Sequence, residues 1–346
     1  MSDQTRIGKA KLKKDLEKMG ITKGDHVAVT LSFKSIGVVE NGPDNFIDSL
    51  LEVVGPDGTL MMNTFTKVFK VFEVDPSFVF DYKSTPCWSG LVPETLRMRK
   101  EALRSKHPVC SVVAIGGKAK CLTEGHDEKT SLFLPYLRLA QMGGKYLCIG
   151  LGNNLVAIRH EAQRLAGLFD VVRLFHGVQY LDEEGNTRML VYNNAPCPRK
   201  LPDLVPKMQK AGVLTIGKIG NARSVVASAG ELLSYMAQKL QEDPTLTLCD
   251  DVGCLWCREA ERRLNLYSSI KNPMYFQKIV ALRTFIAVMS KFRLRPYNYL
   301  SLGKGSEMGT FTEFLGNRMH LPSRLTGRFF SGFTRNLYYF FWDLFH

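Results

Sequence analysis

The residues best suited to chemistry in this 346-residue chain are two histidines and a set of cysteines. His107 lies in "RSKHPVCSVVAIGG", Arg104 to Gly117, just before an apolar run. An imidazole there can serve as a base near neutrality, orient a ligand, or hold a turn by bonding to backbone. His160 follows the glycine-ended run "KYLCIGLG" and stands beside Glu161 in a stretch of helical composition, Val156 to Gly167. Strand ends are where layered α/β proteins place their sites, and a carboxylate next to a histidine can fix its tautomer and stabilise the imidazolium. The other reading of His160 is a solvent-facing helical histidine that forms a local pair with Glu161.

The cysteines offer a different chemistry. "CDDVGCLWC" sets Cys249, Cys254 and Cys257 in a C-x4-C-x2-C array, and Cys197 in "NAPCPRK" supplies a fourth thiol. Four thiolates can close a tetrahedral structural zinc site, tying a proline-rich connection to the end of the preceding domain. Iron–sulfur spacing of the plant type needs its fourth cysteine downstream, and none follows Cys257. Three half-buried thiols near a helix start are the plainer reading. Cys87, Cys110, Cys121 and Cys148 stand among apolar neighbours and read as core fillers.

These residues need a scaffold, and the pattern around them supplies one. "DHVAVTLSF", "DGTLMMNTFT", "CSVVAIGG" and "KYLCIGLG" are short β-rich runs, while "PDNFIDSLLEVVG" has proline at a helix start and a closing Gly55. The alternation predicts a layered α/β/α fold with a central mixed sheet. "HGVQYLDEEGNTRMLVY" predicts a small β-hairpin subdomain, and "NARSVVASAGELLSYMAQKL" reads as an amphipathic helix. The Lys/Leu spacing of the N-terminal stretch predicts an exposed helix with no apolar signal core, so a cytoplasmic protein is expected.

The formal net charge of +13 is uneven: residues 258–346 carry +9 of it, with 18 of the 36 aromatic residues. Two parts follow, a catalytic domain over 1–257 and a basic, aromatic, helical extension over 258–346. The extension suits packing into a homo-oligomer, or peripheral contact with an anionic membrane. No nucleic-acid motif accompanies the charge, so no nucleic-acid partner is expected. His26, His126, His176 and His320 lie in polar or turn contexts and are assigned no role.

Several stretches in order resemble the aminoglycoside 3-N-acetyltransferase family. They are "VTLSFKSIGVVENGPDNFIDSLLEVVGPDGTLMMNTFT", "GLVPETLR", the stretch containing His107, and "SLFLPYLRLAQMGGKYLCIGLG" followed by His160, with a weaker echo in "GKIGNARSVVASAGELL". The resemblance implies transfer of an acetyl or other acyl group from acetyl-CoA to an amine of an amino sugar or aminoglycoside-like substrate, as in antibiotic resistance. His160 matches the family's catalytic histidine and becomes the expected general base, with Glu161 or Glu94 as its carboxylate partner. Glu94 is equally suited to be a dipole-favoured acid after Pro93. His107 is expected to position, with Arg104 and Ser105 facing cofactor or substrate. Ser32, Lys34, Ser35 and Gly37 form the turn expected to meet CoA, and backbone amides from Ser32 to Gly37 would receive the oxyanion.

Two positions depart from the family. Thr30 stands where a histidine is common, and the helical His-x-x-Glu reads His160-x-x-Gln163 here. The net basic charge favours an amino sugar on a nucleotide carrier or glycan precursor as acceptor over a polycationic drug. The alternative is a non-catalytic member of the fold, recruited to a membrane or complex through its tail.

Overall fold

The computed structural model describes residues 6–264, apart from Phe72, Arg173, Asn194, Pro198 and Lys200. The extension expected over 258–346, with its oligomer and membrane roles, therefore lies almost wholly outside the described residues. The helix Leu255–Arg263 runs across positions 257 and 258, so the boundary expected there falls inside a helix. No described helix is long and apolar enough to cross a membrane.

The four apolar runs are strands. In chain order the strands are β1 (His26–Leu31), β2 (Thr59–Asn63), β3 (Phe69–Lys70), β4 (Val79–Phe80), β5 (Leu103–Arg104), β6 (Val112–Gly116), β7 (Lys145–Ile149), β8 (Phe175–Leu181), β9 (Thr187–Asn193), β10 (Leu214–Ile219) and β11 (Ala222–Ser228). Seven of them form one sheet in the order β10-β11-β7-β1-β2-β6-β5. The central trio is parallel, with Val27 beside Leu60 on β2 and Val29 beside Leu147 on β7, and antiparallel strands flank it on both sides. The expected hairpin is β8–β9, and the short strands β3 and β4 join β8 to make a second, four-stranded sheet.

Alternation along the central strands divides the core into two layers. Val27, Val29, Leu60, Met62, Leu147 and Ile149 pack with the helices Lys9–Lys18, Gly42–Val54 and Leu91–Arg97. Ala28, Met61, Tyr146 and Cys148 face the other way, toward the helices Leu134–Gln141, Ile158–Leu165 and Ala229–Glu242. The three-layer α/β/α expectation is met.

One stretch differs from its sequence reading. Ala222–Ser228, expected as the start of an amphipathic helix, is a strand paired to β7 and β10, and the helix begins only at Ala229. Its "SVVAS" alternation fits a pleated surface, and Ser228 caps the helix by accepting from the Glu231 amide. The chain passes from strand to helix with no intervening loop.

Candidate active site

Because β1, β2 and β7 run parallel, their C-terminal ends open on one edge of the sheet, where the antiparallel β6 begins. The Ser32–Gly37 turn, the segment 105–111 and the loop from Gly150 into His160 all leave the sheet there. The turn and the loop are in tight contact. A Cβ on Gly150, at φ +67°, would fall 1.6 Å from Ser35 Oγ, so only glycine fits.

The helix carrying His160 starts from a strained turn. Ala157 has φ +66° and ψ −61°, and the Ile158 amide donates to Val156 O at 2.8 Å, closing a γ-turn of the rare hand. The turn is held from the sheet. Tyr146 donates its hydroxyl to Val156 O at 2.9 Å and also bonds the Thr30 hydroxyl at 2.7 Å, while Cys148 Sγ contacts Asn154 O. Thr30, the position where a histidine was expected from the family pattern, thus helps fix the start of the His160 helix.

His160 is nearly buried and stacks on Phe133, with ring centroids 5.4 Å apart. Its Nδ1 lies 2.7 Å from Gln163 Oε1, and Gln163 Nε2 donates to the carbonyl of Cys197 at 3.4 Å. The amide orientation decides the tautomer. With Gln163 Oε1 facing the ring, His160 Nδ1 must carry the proton, which leaves the lone pair on Nε2. Arg159 Nε donates to that lone pair at 3.4 Å. Burial, then the Arg159 charge, push the imidazole pKa down to about 3, so the ring is neutral at physiological pH.

Neither expected carboxylate partner meets His160. Glu161 is fully buried and forms a two-point pair with Arg164, at 2.9 and 2.5 Å. Adjacent helical side chains diverge by about 100°, so Glu161 points away from the ring. Burial raises its pKa against the pull of Arg164. Glu94 belongs to a helix packed on the opposite face of the sheet, where it binds Arg97 and accepts from the Cys87 amide. The Arg97 bond holds its pKa near 2. Gln163 takes the partner's place, three residues along the same helix face, as the His-x-x-Gln spacing allowed but did not announce.

A match to the family model for aminoglycoside 3-N-acetyltransferases extends over residues 29–241, well over half the chain. The chain belongs to this family. Among its relatives, aminoglycoside N(3)-acetyltransferase VII of Streptomyces paromomycinus is 27% identical over 269 residues, covering 68% of this chain and 92% of that one. The fold is similar to that of AAC-IIIb in a binary complex with CoASH, with TM-score 0.60, 24% identity, and coverage of 69% of this chain and 97% of that one. It also resembles a mutant of aminoglycoside acetyltransferase AAC(3)-IVa in complex with a gentamicin, with TM-score 0.66, 22% identity, and coverage of 76% and 100%. The match ends before the cysteine array begins at Cys249.

Within this acetyltransferase fold, several residues expected at the cofactor have other partners. Arg104 is half-buried at the sheet edge, donating to Ser111 Oγ at 3.2 Å and to the carbonyls of Tyr82, Thr85 and Thr64 at 3.3, 2.5 and 3.2 Å. Its guanidinium also lies over the Phe80 ring at 5.1 Å. Burial lowers its pKa to about 10, still a cation at neutrality. Arg104 is therefore a clamp joining the loop 82–85 to the sheet. Ser105 is buried, its Oγ accepting from the Val112 amide and bonding His126 Nδ1. Arg104→Met is expected to lower unfolding free energy by about 3 kcal/mol, through orphaned carbonyls, and to leave KM for acetyl-CoA unchanged. A large rise in KM at unaltered stability, measured by urea unfolding beside steady-state kinetics, would return Arg104 to the cofactor.

His107 serves the turn itself. Its Nδ1 accepts from the amides of Val109 and Cys110 at 3.1 and 3.2 Å, so it is a neutral ring fastening the chain into β6. His126, given no role from its polar sequence context, is wholly buried with its ring centroid 4.9 Å from that of His107. In the Ser32–Gly37 turn, the Ser32 amide donates to Ile149 O, while the Ser35 amide and hydroxyl both donate to Ser32 O. Those two amides are engaged within the fold, which narrows the expected oxyanion donors. Lys34 is exposed on the same turn.

Proposed function

We propose that the protein transfers an acetyl group from acetyl-CoA to an amino group of an aminoglycoside-like amino sugar, with His160 as general base. The observation that carries this reading is the neutral His160 ring beyond the ends of the parallel strands, with Nδ1 held by Gln163 and the Nε2 lone pair accepting, among the described residues, only from Arg159, a donor that the incoming amine would displace. The amine nitrogen attacks the thioester carbonyl carbon. As the C–N bond forms, that nitrogen becomes strongly acidic, so even a weakly basic imidazole can take its proton. The C–S bond then breaks, and the departing CoA thiolate, the conjugate of a thiol with pKa about 8.5, receives the proton. Arg159, which donates to the same imidazole nitrogen at 3.4 Å, would place a guanidinium beside the reacting centre, where it can stabilise a developing oxyanion.

The choice of acceptor turns on where the charge lies. Of the net +13, residues 1–257 hold only +4, so the argument from overall charge against a polycationic acceptor does not bear on this domain. Family membership favours an aminoglycoside. Thiol release from acetyl-CoA, followed across gentamicin-type aminoglycosides, nucleotide-linked amino sugars and simple amines, should show turnover with the first group. Release only with the nucleotide-linked sugars would correct the acceptor, and no release from a folded protein with any amine would point to a non-catalytic member. Attachment to a membrane surface through residues 258–346 is independent of either result and concerns residues that, past 264, lie outside those described.

A further inference from the structure

The cysteine array and Cys197, 52 residues apart from Cys249, come together in the fold. The four Sγ atoms of Cys197, Cys249, Cys254 and Cys257 lie within 4.8 Å of one another, and three of the four residues are buried. A zinc ion with Zn–S bonds of about 2.3 Å in a tetrahedron needs S···S edges of about 3.8 Å. Cys197 and Cys249 are already 3.8 Å apart, and contraction of the remaining edges by about an ångström or less would complete the figure.

The surroundings suit thiolates. Cys254 caps the N-terminus of the helix Leu255–Arg263, where the helix dipole favours negative charge. The Cys249 amide donates to Cys257 Sγ at 3.2 Å, and Arg199 Nη1 approaches Cys249 Sγ at 3.6 Å. Four thiolates around a divalent ion leave two negative charges, which the amide and the helix end offset, while Arg199 beside Cys249 is shared with Asp251. The packing around the cluster is small: Val172, Leu248, Trp256 and Ala260. Such a patch buries too little apolar surface to fix two chain segments, so a metal cross-link is the physically sufficient fastening.

We propose that these four cysteines hold a structural zinc ion that pins the Cys197 segment to the residues after Leu248, and through it positions His160. The link is short. The Cys197 carbonyl accepts from Gln163 Nε2, and Gln163 Oε1 meets His160 Nδ1, so the zinc site sets the orientation of the amide that sets the tautomer. The metal site stands by itself, whereas the positioning role rests on His160 being the base.

The full chain purified without chelator should contain about one zinc per molecule. Cobalt exchanged into the same protein should show the strong visible bands of tetrahedral Co(II) with thiolate-to-metal charge transfer. The Cys254→Ser/Cys257→Ser protein should hold less than about a tenth of an equivalent. The wild-type metal content and cobalt spectrum decide the question even if that variant fails to fold. Zinc below about a tenth of an equivalent, iron in its place, or two disulfides in the denatured thiol count each overturns the site. These readings need no turnover, so they stand apart from the acetyl-transfer reading. Stripping the metal should lower kcat several-fold with KM for acetyl-CoA unchanged. Full kcat in the stripped, folded protein would remove the positioning role.

Discussion

His160→Ala is expected to lower kcat by about 10²–10⁴-fold, the range that a positioned general base contributes. The variant should remain folded. Deleting a ring stacked on Phe133 leaves a cavity costing about 2–3 kcal/mol, which a domain with two extensive core layers can bear. Circular dichroism and urea unfolding establish the fold, while thiol release from acetyl-CoA reads the chemistry. The pH profile adds a second criterion. With His160 held neutral down to about pH 3, the acid limb of kcat/KM should follow the acceptor amine and should shift when the acceptor is changed. If the variant keeps more than about a tenth of wild-type kcat, or if the wild type shows an acid limb near the ordinary histidine pKa that no change of acceptor moves, His160 is not acting as described.

The second large effect is on stability in mild acid. Burial depresses three histidines: His107 to about 4, His126 to about 2 and His160 to about 3, with Arg159 adding to the shift at His160. In the unfolded chain each takes up a proton near pH 6.5. Between that value and pH 4 the unfolded state therefore binds more protons than the folded one, and stability is lost as pH falls. At pH 5 the loss is roughly 2 kcal/mol for each of the three rings, a large share of a typical domain's stability. Glu94, held near 2 by Arg97, adds its own loss only below about pH 4.5, and Glu161, whose pKa is raised, acts in the opposite direction. Urea unfolding at pH 7, 6 and 5 should thus show a falling midpoint, with a smaller fall in His126→Gln. A midpoint that stays level from pH 7 to 5 would falsify the neutral state of these rings.

The fold was legible where strands are central and buried. β1, β2, β6 and β7 are short apolar runs, several ended by glycine, because both of their faces are covered. β3, β4 and β5 are two residues each, too short to display any period. β11 was hidden by its direct passage into a helix. The site was legible in part: His160 could be placed at a strand end, and the cysteine spacing singled out three thiols, with Cys197 named beside them from a separate stretch. What local sequence could not give were contacts made across the fold. Phe133 reaches His160 from the turn before the helix Leu134–Gln141, and Gln163 is told apart from Glu161 only by which way each side chain points. Arg104 reads the same in sequence whether its partners are phosphates or carbonyls. His126 sits in "TEGHDE" and looks solvated, yet Ser105 and His107 enclose it.

The γ-turn at Ala157 bears on the order in which the protein assembles. A backbone there costs about 1–3 kcal/mol and persists only where its surroundings over-determine it. Those surroundings are Tyr146 and Thr30, side chains from two different strands, so the turn cannot precede the pairing of β1 with β7. The helix bearing His160 is only eight residues long and has no means of holding such a start by itself. A nascent chain with the right helices but an unfinished sheet would carry its histidine unaimed. The aim of that histidine is a property of the closed sheet rather than of its own helix.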